Sequence, residues 1–72
     1  MKLTVGQRLK INRVGDGNRM LKRRLLDFGL IEGAVITIQQ ILPFGGPLIL
    51  EYEGTTIGMR QSDIKILHME SI

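Results

Sequence analysis

Apolar and polar positions change period twice along this chain, and each change marks an element. From Gly6 to Val14, Leu9 and Ile11 fall on one face while Arg8, Lys10 and Asn12 fall on the other. That period of two predicts a strand. Gly15-Asp16-Gly17 breaks it. Asn18 is a good helix N-cap, because its side-chain oxygen accepts from the free amides of the first turn. The period then lengthens. Leu21, Leu25 and Phe28 stand at i, i+4 and i+7 and predict a helix to about Phe28 with these three facing the core. Gly29 sits where a helix ends in a left-handed residue.

Leu26 lies off that face, near Lys22 and Arg19 at about 100° per residue. Two readings stay open. The last turn tightens and tucks Leu26 in, or Leu26 is an exposed apolar contact residue among cations.

Beyond the Leu30–Gly33 turn the period returns to two. Ala34–Leu42 is rich in Val, Ile and Thr and predicts a long strand. In Leu48–Tyr52, Leu48, Leu50 and Tyr52 share a face, opposite Ile49, Glu51 and Glu53. Glu53-Gly54 is a hairpin signal. Thr55–Arg60 returns with Ile57 and Met59 inward. Ser62-Asp63 marks a tight turn or one turn of 3₁₀ helix, and Ile64–Leu67 is a final strand. The expectation is a mainly β fold: a small, partly open five-stranded barrel with one short α-helix inserted after the first strand.

Length and composition narrow the classes. The 72 residues suit one domain. A chain of this size buries only about 60% of its unfolded surface, so its stability margin is thin. There is no cysteine, so neither a disulfide nor a thiolate ligand is available. No apolar run approaches the roughly 20 residues of a membrane-spanning helix. The start, MKLTVGQRLK, lacks the apolar core of a secretory signal. A cytoplasmic protein without membrane insertion is expected.

The formal net charge of +3 hides a polarity. Up to Arg24 there are eight basic residues (Lys2, Arg8, Lys10, Arg13, Arg19, Lys22, Arg23, Arg24) and one acid, Asp16. From Leu25 on there are two basic residues, Arg60 and Lys65, and six acids. Such a split fits an oriented encounter with an acidic, phosphate-bearing or anionic partner, or a solvated face with no partner.

Direct chemistry finds no support. No GxxxxGK[ST] loop is present for nucleotide. His68 is the only histidine, so neither a nucleophilic dyad nor a zinc site of ordinary spacing forms, and His68 is expected exposed. Glu51 and Glu53 share a strand face, but two carboxylates are too few for a tight Fe(II) site. No enzyme activity, cofactor or metal site is expected. Nucleic-acid binding is disfavoured, because no aromatics are interleaved with the basic residues.

The segment Arg24-Leu25-Leu26-Asp27-Phe28-Gly29-Leu30, with Gly33, Pro43, Gly45-Gly46-Pro47, Gly54 and Arg60, resembles the FeoA family. The likeness runs from about Leu3 to Leu67. Phe28 and Met59 stand where leucine is usual, and Ser62-Asp63 replaces a more usual acidic-plus-alanine pair. The resemblance implies an SH3-like fold, a single FeoA-type domain over residues 1–72 and a role in bacterial ferrous iron uptake as the accessory of FeoB. FeoB is the membrane permease with a cytoplasmic GTP-binding domain. A transition-metal-binding or GTPase-regulating module is the alternative. The last would deliver an arginine to another active site; Arg60 is placed to project, and a structural salt bridge is the favoured role for it.

Two features fit docking. Arg19, Lys22 and Arg23, with Leu26, are candidates on the outer helix face. Pro43, Phe44, Gly45, Gly46 and Pro47 form a stiff loop with two fixed φ angles and two permissive glycines. Such a loop presents Phe44 at little ordering cost. The competing reading folds Phe44 back over the barrel mouth. Slightly positive mean hydropathy and an outward Ile49 leave room for a weak homodimer through a sheet edge.

Overall fold

The computed structural model describes residues 3–72. Its elements are β1 (Arg8–Val14), α1 (Arg19–Phe28), β2 (Val35–Ile41), β3 (Leu48–Tyr52), β4 (Thr55–Met59), a 3₁₀ turn (Asp63–Ile66) and β5 (Leu67–Ser71). One antiparallel sheet runs in the order β4-β3-β2-β1-β5. The sheet is open, with β4 and β5 as its edges, and one helix follows the first strand.

Two β-bulges bend this sheet around its contents. In β1 the register shifts between Ile11 and Arg13. In β2 it shifts between Ile38 and Gln40. Each inserted residue reverses which parity points inward. Leu9 and Ile11 are buried before the first bulge, and Val14 turns inward after it. Ile36 and Ile38 are buried before the second, and Ile41 packs on the core after it. A bulged strand also twists more, which is how five short strands enclose an interior.

The interior is almost purely aliphatic. Leu9, Ile11, Leu25, Leu30, Ile36, Ile38, Leu48 and Leu50 are fully enclosed, and no polar or charged residue is buried among the described residues. Each such side chain contributes about 1.5–3 kcal/mol relative to exposure.

The helix is held at both ends. Asn18 is extended (φ −147°, ψ 108°), and its Oδ1 accepts from the Leu21 amide at 3.0 Å. Gly29 is left-handed (φ 89°). Its amide donates to the Leu26 carbonyl, and the Leu30 amide to the Leu25 carbonyl. This is a Schellman closure. A Cβ at Gly29 would lie 3.0 Å from Cε2 of Tyr52, so the position needs glycine for both φ and space.

Two expectations are corrected, and the open choice at Leu26 is decided in favour of the exposed reading. Phe28 is exposed rather than core-facing. The chain leaves the helix at Gly29, and Leu30 takes the enclosed place beside Leu25. Leu26 is also exposed, because the last turn stays α-helical to the cap instead of tightening. The final strand is Leu67–Ser71, and Asp63–Ile66 is the 3₁₀ turn leading into it. Leu67 and Met69 face the core while His68 and Glu70 are exposed.

Candidate docking surface

The outer helix face forms first. With Leu25 anchored inside, about two helical turns bring Arg19, Lys22, Arg23 and Leu26 together on the outer side. These four and Asp16 line one shallow depression of about 420 Å³. Leu26 is 48% exposed within it. The four helix residues singled out from the sequence are thus brought together.

Their charges are not equivalent. Lys22 Nζ donates to Asp16 Oδ1 at 2.5 Å, and this is the one ion pair among the described residues. The Lys22 hydrogen bond and charge, with a smaller effect of Arg13, hold the Asp16 carboxyl below its ordinary value. Arg19 and Arg23 make no such pair and stay exposed. Lys22 therefore also braces the Gly15–Gly17 turn against the helix, and the unpaired charge of the depression is that of Arg19 and Arg23.

The Pro43–Pro47 loop is a tight turn with an unusual occupant. The Gly46 amide donates to the Pro43 carbonyl at 3.1 Å, and the Leu42 amide to the Pro47 carbonyl at 3.2 Å. The Gln61 side chain donates to the Gly46 carbonyl at 2.9 Å. Between them Phe44 and Gly45 are left-handed, at φ 60° and 73°. A bulky residue there is a strained exception. Phe44 is fully exposed and does not fold back over the barrel. The loop and the basic depression share no cavity-lining residue, so the structure presents them as two separate features.

A third feature was not singled out from the sequence. A groove of about 540 Å³ lies between α1 and the free side of β4. Met20, Arg24 and Phe28, at i, i+4 and i+8, line its helical wall, and Ile49, Gly58 and Arg60 line the other. Met20 is 80% exposed. The spacing of Met20 and Phe28 was the available signal; assigning Phe28 to the core hid it. Arg60 makes no salt bridge among the described residues, contrary to the expectation from the sequence.

No group of three or more His, Cys, Asp or Glu able to hold a metal occurs among the described residues. His68 is exposed, with Nε2 3.1 Å from Nη2 of Arg13. Among the described residues no helix is long and apolar enough to cross a membrane.

Solved structures share this fold closely. The FeoA protein of Chlorobium tepidum superposes with a TM-score of 0.88 at 25% identity, over 99% of this chain and 67% of that one. A Stenotrophomonas maltophilia FeoA complexed with zinc gives 0.82 at 24% identity, over 96% and 85%. It is described as a prokaryotic SH3 domain protein, with a suggested role as a ferrous iron transport activating factor. A manganese-dependent transcriptional repressor gives 0.85 at 13% identity, over 97% of this chain and 39% of that one. It shares the fold alone. No curated protein matches the sequence. The FeoA domain model matches residues 1–70, and the chain belongs to the FeoA domain family.

Proposed function

We propose that this chain is a cytoplasmic, non-enzymatic accessory of bacterial ferrous iron uptake. It acts as a single FeoA-type domain that docks onto the cytoplasmic part of a FeoB-like permease. Arg19, Lys22, Arg23 and Leu26 meet an acidic surface, and the Pro43–Pro47 loop inserts Phe44 as an anchor. The observation that carries this reading is Phe44, a fully exposed aromatic held at φ 60° on a hydrogen-bonded turn. Strain of this kind persists where the surroundings enforce it and clusters at functional sites. An aromatic already ordered loses little freedom on binding. The exposed Leu26 beside two unpaired arginines supplies a second, electrostatically steered contact.

The test is a titration of the permease's cytoplasmic domain into isotope-labelled protein, with and without guanine nucleotide. Amide shifts at Arg19–Leu26 and Pro43–Pro47 are expected. Unchanged binding in both Phe44→Ala and the Arg19→Glu/Arg23→Glu double variant would overturn this docking surface.

A further inference from the structure

The groove beside β4 combines three features. The first is an unpaired strand edge. Tyr52 faces Thr55 across the two-residue turn, and the register continues Glu51↔Thr56, Leu50↔Ile57, Ile49↔Gly58 and Leu48↔Met59. In a hairpin of this length the residues flanking the turn exchange both backbone bonds, and such pairs then alternate. Thr55, Ile57 and Met59 therefore bond to β3. The amides and carbonyls of Thr56 and Gly58 point the other way, and neither residue has another backbone partner among the described residues. The edge also lacks three common protections. Thr55–Met59 carries no charge, no proline and no bulge.

The second feature is the apolar wall facing that edge. Met20 and Phe28 project from α1, and Ile49 reaches across the space where Gly58 has no side chain. A strand needs about 4.8 Å from its neighbour, and alternate side chains of an added strand would meet these apolar groups.

The third is charge. Arg24 and Arg60 line the groove against one carboxylate, Asp63. Neither arginine has an ion-pair partner among the described residues.

We propose that β4 is a docking edge for a single extended, acidic peptide segment of a partner protein, which pairs its backbone with Thr56 and Gly58 and seats apolar side chains against Met20 and Phe28. The occupant is a lone segment rather than a second copy of this chain. The helix closes the far side of the groove, and a second β4 would bring its own β3 and sheet behind it into α1. The carboxylates answer Arg24 and Arg60. Pro47 of the loop lines this groove, but neither Phe44 nor any residue of the Leu26 depression does, so the peptide site is read apart from those two contacts.

The probe is a blocked hexapeptide alternating valine with glutamate, titrated into the labelled full chain. The expected result is an alternating footprint. Amide exchange at Thr56 and Gly58 slows at least about tenfold, with far smaller changes at Ile57 and Met59, as strand addition requires. Thr56→Pro removes an outward amide without touching a bond to β3, a position where edge strands tolerate proline. It should weaken the peptide at least about tenfold while the β1, β2 and β5 shifts stay in place. Should that variant not fold, Arg60→Glu gives an independent reading: binding should pass to the same peptide with lysine in place of glutamate. Uniform protection along β4, no footprint, or shifts confined to the Leu26 depression would overturn the proposal. So would slowing of Thr56 and Gly58 that grows with protein concentration without peptide, which would make a second copy the occupant.

Discussion

Two turns in this molecule use the same backbone device for different ends. At the β3–β4 hairpin, Glu53 and Gly54 are left-handed at φ 48° and 82°. Between β2 and β3, Phe44 and Gly45 are left-handed at 60° and 73°. Each places a non-glycine first and a glycine second. The hairpin turn is chemically quiet. Its first residue is polar, and the Glu51 carboxylate accepts from the Gly54 amide at 2.7 Å. The other turn places an apolar ring in full solvent. Joining two strands requires nothing of that ring, so geometry alone does not mark a functional loop. The residue that fits its conformation and surroundings badly does.

The largest expected effect separates the two turns by folding. Gly54→Val puts a β-branched side chain at positive φ inside the hairpin and should cost about 2–3 kcal/mol in chemical denaturation. Phe44→Ala should leave stability within about 0.5 kcal/mol, since a fully exposed ring contributes no burial. The same substitution should weaken permease-domain binding by about 2 kcal/mol, or roughly thirtyfold by calorimetry, if Phe44 is an anchor. A smaller effect has the opposite sign. Phe44→Gly should raise the unfolding free energy by about 1 kcal/mol by relieving the left-handed strain, yet lose the same binding. Glu53→Gly is the matched control and should move stability but not binding.

The smallest effect lies away from both turns. Asp16 has a folded pKa below its ordinary 3.8, so its contribution is complete above pH 3.8 and fades as pH falls through the lower folded value. Asp16→Asn should flatten that part of an acid-unfolding curve while leaving both turns unchanged. A curve identical to the parent's would show that the pairing with Lys22 adds nothing to stability.

Much of the fold was legible because its signals are local. Asn18, Gly29 and Glu53-Gly54 act on their own backbone neighbours, and each does in the structure what its residue type predicts. Phe28 was misplaced because periodicity measures angle and not length. It shares a stripe with Leu21, but the helix ends there, and the closure at Gly29 gives the buried place to Leu30. The last strand was displaced because backbone pairing with β1, not apolar content, carries Glu70 and Ser71 into the sheet. Of the candidate surface, the gathering of Arg19, Lys22, Arg23 and Leu26 was legible from helical spacing. The β4 groove was not. It depends on how far the helix stands from an edge strand, a distance no sequence period encodes.

The apolar interior has a practical consequence. Since no ionisable or polar side chain is enclosed among the described residues, added electrolyte has no buried charge to screen and acts on this molecule from the outside. A change in any complex as salt is raised therefore originates at the surface, where the Lys22–Asp16 pair and the free arginines lie. The fall of affinity with ionic strength then reports on exposed charges rather than on the packing of the interior.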